Sequence, residues 1–345
     1  MSVEVSQPLI PLRHPNRDFF VLDITDAAPR GDMASMEFPF FALTTQPDTR
    51  EREYRRGDNI LRVIPSARGM ATVFDRDVIL YCISQLMARK NAGLPYGKVV
   101  QFTAHDMLVS TNRQIDGDGY KRLDDALTRL RGTTFNTTIK TGGQSMTRIF
   151  GMIDSADILR TEPMTGRMVA CEVVLSEWLF RAIESNQVLP INRDYFRLRS
   201  PLDRRLYELC RKHCGHQAQW NISLELLKDK VAFSSNARKL RAHVRKIVAS
   251  QHLPDYTVDI DDDGDMVTFR PRAGAVKIAE PETYTVDTLD RHIETKALAY
   301  ARKLAQERNR DFYQIKAEFI EYMRKKTPDN ISGALVGFVK KKSKL

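Results

Sequence analysis

The chain has 345 residues, 42% apolar and 28% charged, a mixture that can bury a sizeable core and excludes a largely disordered polypeptide. Lysine and arginine total 54 against 44 aspartates and glutamates, and the net charge of +10 favours a polyanionic partner, nucleic acid ahead of an anionic membrane. Four cysteines do not make a disulfide framework, the first residues lack the apolar stretch of a secretory signal, and the late apolar run at 331–339 is far shorter than the roughly 20 residues a membrane span needs.

The expectation is a cytoplasmic, DNA-associated protein of two or three domains, with no membrane partner. Residues 1–70 read as an N-terminal arm and hairpin. Apolar segments at 18–24 and 38–43 are broken by Pro29, Gly31, Pro39 and Pro47, and 50–64 reads as a hairpin turning at Arg56-Gly57-Asp58. From residue 71 the pattern becomes regular. Asp75 stands as N-cap to a helix with the stripe Val78, Ile79, Cys82, Ile83, Leu86 and Met87, ended by Asn91 and Gly93. A strand at 98–102 leads into a short helix through Ser110, opened by a capping-box-like Thr103 to Asp106. After a polar turn at 111–117, a third helix spans 118–131, with Tyr120, Leu123, Leu127 and Leu130 at helical spacing. Two β runs, 133–141 and 146–153, joined at Gly142-Gly143, read as a wing. This order is that of a winged helix, whose third helix enters the major groove. The first such domain is placed at 71–165.

A strand at 168–175 and a helix at 177–185 read as a connector, after which the order recurs. Ser200, Pro201 and Asp203 occupy the N-cap, N1 and N3 positions of a helix running to Cys214. A strand at 219–222, a helix from Ser223 to Lys230, a helix from Asn236 to Ser250 and a hairpin of 256–260 with 266–270 complete it. Connector and second winged-helix domain together take 166–271. Residues 272–345 form a linker and a basic C-terminal helical segment, with helices over 286–307 and 312–326 and a short final one. Its stripes are Leu289, Ile293 and Leu304, then Ile315, Phe319 and Met323, and its positive charge is concentrated at the extreme end. The fold class is therefore α+β and helix-rich, with two winged helix-turn-helix domains in tandem and a C-terminal helical segment.

The helix at 236–250 is the most informative element. At about 100° per residue, Ala237, Leu240, Val244, Ile247 and Val248 share one face. Arg238, Lys239, Arg241, Arg245 and Lys246 share the other, and the helix holds no acid. Arginine can fork onto guanine, lysine can neutralise phosphate, and Asn236, with Ser235 just ahead of it, can meet a base edge. The third helix of the first domain offers Lys121, Arg122 and Arg129 but also Asp118 and Asp125, so it reads as the weaker binder or partly as a dimer surface. Asn112 and Arg113, in the turn before it, are candidate phosphate contacts.

Other motifs fail on spacing. Cys210, His213, Cys214 and His216 lie along one helix end without the clamps a tetrahedral zinc site prefers. Asp259, Asp261, Asp263 and Gly264 begin a calcium loop, but its twelfth position is Arg270. Gly93, Gly97 and Lys98 fall one residue short of a phosphate loop. The expectation is a protein with no catalytic residues, no metal and no cofactor.

Several strings resemble the plasmid replication initiator protein A family: Asp18-Phe-Phe-Val-Leu-Asp-Ile24, Asp32-Met-Ala-Ser-Met-Glu37, Ile83-Ser-Gln-Leu-Met87, Ala104-His-Asp-Met-Leu108 with Thr111-Asn-Arg113, Arg193-Asp-Tyr-Phe-Arg-Leu-Arg199, and Arg204-Arg-Leu-Tyr-Glu-Leu-Cys-Arg-Lys-His-Cys-Gly215. They cover roughly residues 15 to 270. The resemblance implies tandem winged helices that bind repeated duplex sites at a plasmid origin, as monomers or homodimers. It also implies repression of the protein's own gene and recruitment of host replication machinery, expected to be a host initiator ATPase and the replicative helicase or its loader. The lysine cluster at the C-terminal end suggests single-stranded DNA or a partner's acidic surface as a further contact. A transcriptional repressor of the same fold is the alternative. An enzyme processing nucleic acid is a third class, for which no catalytic constellation is visible.

Overall fold

In the computed structural model, the described residues among the first 70 are not a separate arm. The structure describes residues 8–15, 30–32, 35–36, 38–56, 59–138, 147–161, 168–214, 218–261, 265–273, 293, 295–307, 312–325 and 331–342. The apolar segment expected at 18–24 and the turn at Gly142-Gly143 lie outside them. The chain divides into a body, residues 1–278, and a C-terminal unit, residues 279–345.

Arg30–Asp32 (β1) pairs antiparallel with Val188–Pro190 (β9), joining the start of the chain to its middle. Arg52–Arg56 (β2) and Asn59–Ile64 (β3) form the expected hairpin. It continues onto Thr134–Thr137 (β5) and Arg148–Phe150 (β6), making an antiparallel sheet of order β2-β3-β5-β6. The pair read as a wing is thus the far half of this sheet. The reason is apolar. Phe135 is fully buried opposite Val63 and meets Phe40 at 5.2 Å, while Phe150 stacks on Trp178 at 4.9 Å. Aromatic rings of that size need a covered face, which a projecting wing lacks.

Arg76–Asn91 (α1), Val99–Thr103 (β4), Ala104–Ser110 (α2) and Gly117–Gly132 (α3) follow. Ile153–Arg160 (β7) and Met168–Leu175 (β8) supply the hairpin after the third helix, in a sheet of order β4-β8-β7. The strand at 168–175, expected as connector, is the middle strand of that sheet, so a boundary between 165 and 166 cuts through it. Its alternation explains this: Met168, Cys171, Val173 and Leu175 are buried against Val100 and Phe102 of β4. Thr103 caps α2 by accepting from the Asp106 N–H, as its sequence predicts. The cap of α3 is Asp116, which accepts from the Gly119 N–H at 2.8 Å. A Cβ on Gly119 would lie 1.9 Å from the Gln114 carbonyl oxygen, so only glycine lets the turn close onto this helix.

Glu177–Glu184 (α4) and a 3₁₀ turn at Arg193–Arg197 lead to the second module. Pro201–Cys214 (α5), Trp220–Ser223 (β10), Leu224–Val231 (α6), Ala237–Ser250 (α7), Tyr256–Ile260 (β11) and Met266–Pro271 (β12) repeat the order of the first, and the sheet order β10-β12-β11 again seats the last strand in the middle. The first module differs by the β5–β6 insertion between its third helix and its final hairpin.

One apolar core runs through both modules, from Met36 to Phe269. At its centre α1 and α5 are buried on nearly every side. This overrides the single stripe expected for α1, whose first residues Arg76 and Asp77 are wholly buried. Such charges persist only when paired. Asp77 accepts from Arg204 and from Arg113, each at 2.6 Å. Arg76 pairs with Glu208, which also accepts from the Tyr195 hydroxyl at 2.6 Å. Arg205 donates to the carbonyls of Ser35 and Met36. Arg204 also lies over the Phe74 ring, 4.5 Å from its centroid.

In the C-terminal unit, Thr295–Glu307 (α8), Phe312–Lys325 (α9) and Ile331–Lys342 (α10) enclose a core of Leu304, Ile315, Phe319, Met323, Leu335 and Val339. Residues 272–273 belong to the body, since Arg272 donates to the backbone carbonyls of Tyr256 and Gln251. Leu289, expected in this unit's apolar stripe, lies outside the described residues.

Replacing Asp77 with alanine leaves Arg204 and Arg113 without their counter-charge and should destabilise the body by about 3–5 kcal/mol in urea denaturation. A cost below 1 kcal/mol would mean that this network does not hold the modules together.

Candidate nucleic-acid interface

Helix α7 is placed by its own pattern. Leu240, Val244 and Ile247 are fully buried, and the Asn236 side chain caps the helix by accepting from the Lys239 N–H at 3.0 Å. The opposite face is open and cationic. Arg238, Lys239, Arg245 and Lys246 are exposed, with the small side chains of Ala242 and Ala249 between them. Long basic side chains flanking a shallow alanine line suit a groove whose edges are phosphate and whose floor is bases.

Three contacts aim this face. Arg241 donates to Asp265, at the base of the β11–β12 hairpin, at 2.6 Å. His243 and His252 meet the two oxygens of Asp203 on α5, at 2.5 and 2.9 Å. Burial pushes the Asp203 carboxyl up, but its hydrogen bonds to the two imidazoles outweigh this and hold it below its ordinary value. Two predicted roles change here. Arg241 is engaged with an acid of its own module. The Asn236 oxygen is occupied by the cap, so the side chain lacks the free acceptor that a two-point adenine contact needs. Ser235 is half-buried in the turn ahead.

On α3 the exposed cations are Lys121 and Arg122, and Arg131, which the sequence reading did not single out, is also exposed but lies on the opposite side of the helix from Arg122. Arg122 donates to Gln114 at 2.7 Å. Arg129 is not among these exposed cations: it turns inward and donates twice to Asp75, both bonds 2.7 Å long. Asp75 also accepts from the Thr72 N–H, and its side chain makes no cap bond to α1.

Asn112 and Arg113 are structural as well. Asn112 is buried with a left-handed backbone, φ 55°. Its side chain accepts from the Arg13 N–H at 2.7 Å and donates to the Pro11 carbonyl at 3.1 Å. Arg113 donates to Asp77 and to the Phe74 carbonyl. The segment 8–15 is thereby a strap across both modules. At one end His14 reaches the Arg113 carbonyl, and at the other Leu9 bridges to Leu198 and the Ile10 carbonyl accepts from Arg197. No periodic pattern announces such a strap, because single bonds hold it rather than a ladder or an apolar stripe.

Two members of the cysteine-histidine run, Cys210 and Cys214, are part of the core. Cys210 and Cys214 are buried, burial pushes the Cys210 thiol up, and His213 stacks on Trp220 at 4.6 Å. Among the described residues no group of three or more His, Cys, Asp or Glu is placed to hold a metal ion, and no helix is long and apolar enough to cross a membrane.

The family model for replication initiator protein A matches residues 30–258, both modules almost entire. The chain belongs to the replication initiator protein A family. A "Putative replication protein" of Wigglesworthia glossinidia brevipalpis is 34% identical over 277 residues, spanning 79% of this chain and all of that relative. Among solved structures the chain is similar to domains 2 and 3 of RctB, with 14% identity, a TM-score of 0.49, and coverage of 70% of this chain and 98% of that one. It is also similar to the Pi initiator protein in complex with iteron DNA, with 14% identity, a TM-score of 0.38, and coverage of 62% and 97%.

The depressed Asp203 carboxyl has a defined pH signature. Its contribution to stability is complete above the ordinary carboxylate value of about 3.9 and is lost as pH falls through the lower folded value. Asp203→Asn should therefore be less stable than the parent at pH 7, by about 1–3 kcal/mol. That difference should shrink on acidification below about pH 4. Urea titrations at pH 7 and pH 3 check this, and an equal difference at both would remove the role of the charge.

Proposed function

We propose that the two modules are winged helices in tandem, and that this family member initiates replication by binding repeated duplex sites at an origin. The carrying observation is α7: an exposed, acid-free cationic face on the third helix of its module, clamped to α5 by Asp203 and to the final hairpin by Arg241. In this reading Arg238 and Arg245 reach base edges, Lys239 and Lys246 neutralise phosphates, and Ala242 leaves room for a thymine methyl. Lys121 and Arg122 on α3 serve the neighbouring groove with less positive charge, since Asp118 and Asp125 share that helix.

The shared ionic core suits the task. Modules held at one fixed relation fit two major grooves about one helical turn, 10–10.5 bp, apart, and a row of direct repeats would load a row of such proteins. Bending by the array favours opening of an adjoining A·T-rich stretch. The chain works by binding, the C-terminal unit recruits host replication proteins, and occupancy of a site over its own promoter represses its gene.

Two measurements test the reading. Arg238→Ala should cost about 1–3 kcal/mol on a specific site and relax sequence preference. Lys246→Ala should weaken binding to all duplexes and lower the salt slope by about 0.9. Unchanged affinity in both would displace the reading head from α7.

Footprinting on DNA flanking the gene should show direct repeats beside an A·T-rich segment. A single protected palindrome over a promoter would favour a repressor instead. Stopping the chain after Ile278, where the body ends, should keep duplex binding and abolish replication. Normal replication by that truncated chain would remove the recruitment role.

A further inference from the structure

We propose that the seam between the modules is a third DNA contact, in which Arg13, Arg122 and Arg199 take backbone phosphates of the duplex between the two grooves. The proposal rests on the tandem reading above and adds a site to it. The seam is a cleft of about 200 Å³, covered on one side by the strap, into which five arginines and no carboxylate open. Two of the five are neutralised, because Arg113 and Arg204 share the buried Asp77 behind the wall. The other three come from separate segments: Arg13 from the strap, Arg122 from α3 and Arg199 from the stretch before α5.

Those three are the exposed ones, and among the described residues none of them pairs with a buried carboxylate. Arg122 donates to the neutral Gln114 side chain and makes a 3.9 Å ion pair with the exposed Asp116, a contact that water screens. Among the described residues, Arg13 and Arg199 are held only through their backbones, by Asn112 and by Pro8. Bringing guanidinium groups of like charge to one cleft is unfavourable until an anion enters. Their planar forks match the spacing of phosphate oxygens.

Position and size select the anion. Gln114 lies in the turn before α3 and Arg122 in its second turn, so the cleft adjoins the proposed reading helix of the first module and lies on the seam toward the other module. It is smaller than the roughly 300–1,000 Å³ typical of small-molecule sites. The Phe74 ring in its wall already carries the Arg204 and Arg113 guanidiniums, at 4.5 and 5.9 Å from the centroid, rather than lying open to a nucleobase. Phosphates threaded past the rim fit this better than a nucleotide swallowed whole.

The test uses the full chain and the duplex site protected in the footprint, in two forms: unmodified, and with methylphosphonates in place of the phosphates between the two protected grooves. Arg13→Ala/Arg199→Ala removes the rim without touching the backbone bonds that hold the strap. If the seam binds phosphate, this variant lowers the slope of log affinity against log salt by about 1.8, two contacts' worth, on the unmodified duplex. The methylphosphonate duplex then binds the parent more weakly, and the double variant loses less on it than the parent does, since only the Arg122 contact remains to be lost.

An unchanged salt slope, while Arg238→Ala and Lys246→Ala still weaken binding, overturns the seam and leaves the tandem reading intact. A variant and a modified duplex whose losses simply add also overturn it, since the arginines would then act elsewhere. A parent chain that prefers no duplex sequence at all overturns the reading beneath both.

Discussion

Asp77 is a carboxylate with no access to water that receives two guanidiniums, one from each module. Buried ion pairs of this kind seldom exceed well-packed apolar residues in net stability, because each charge is stripped of water first. What they add is uniqueness. Apolar helices as thoroughly buried as α1 and α5 can slip by a turn or rotate with little penalty. A helix that must set Asp77 against Arg204 and Arg76 against Glu208 has one register. Under the proposed function, in which two grooves are met at once, that register matters more than a further kilocalorie of stability, and the clamps on α7 extend the same logic outward from α5.

Much of this was legible from residue pattern. The caps at Thr103, Ser223 and Asn236, and the buried and basic faces of α7, appear where spacing puts them, because each depends on neighbours within four residues. The misreadings share one cause. Arg129, Arg113 and Asn112 look like surface cations and a turn amide until their partners are known, and those partners lie 54, 36 and 99 residues away in Asp75, Asp77 and the strap. Spacing arguments do not pair charges across such distances. The β runs at 133–153 follow α3 directly and read as the wing by element order alone, while 168–175 reads as a connector until its pairing with 153–160 is seen. The discriminating signal was present in Phe135 and Phe150, whose bulk demands a covered face.

The insertion changes what a module means in this chain. The second module is contiguous, from α5 to β12. The first is assembled around a sheet whose strands come from residues 52–64 and 134–150, and it is closed off by a strap from the extreme beginning. Its third helix, α3, is therefore fixed by contacts reaching far along the chain, whereas α7 is fixed within its own module.

The strap also carries a consequence in time. Residue 10 leaves the ribosome near the start of synthesis, but Arg197, which donates to its carbonyl, follows 187 residues later. At about 5–20 residues per second, that is a wait of roughly 9–37 s. Through this interval the first module can gather its local helices, but it lacks both the far anchor of the strap and the Arg204 charge that Asp77 requires. The body therefore completes itself only when the second module arrives, so a nascent chain cut short before α5 should leave the ribosome with the first module unfinished.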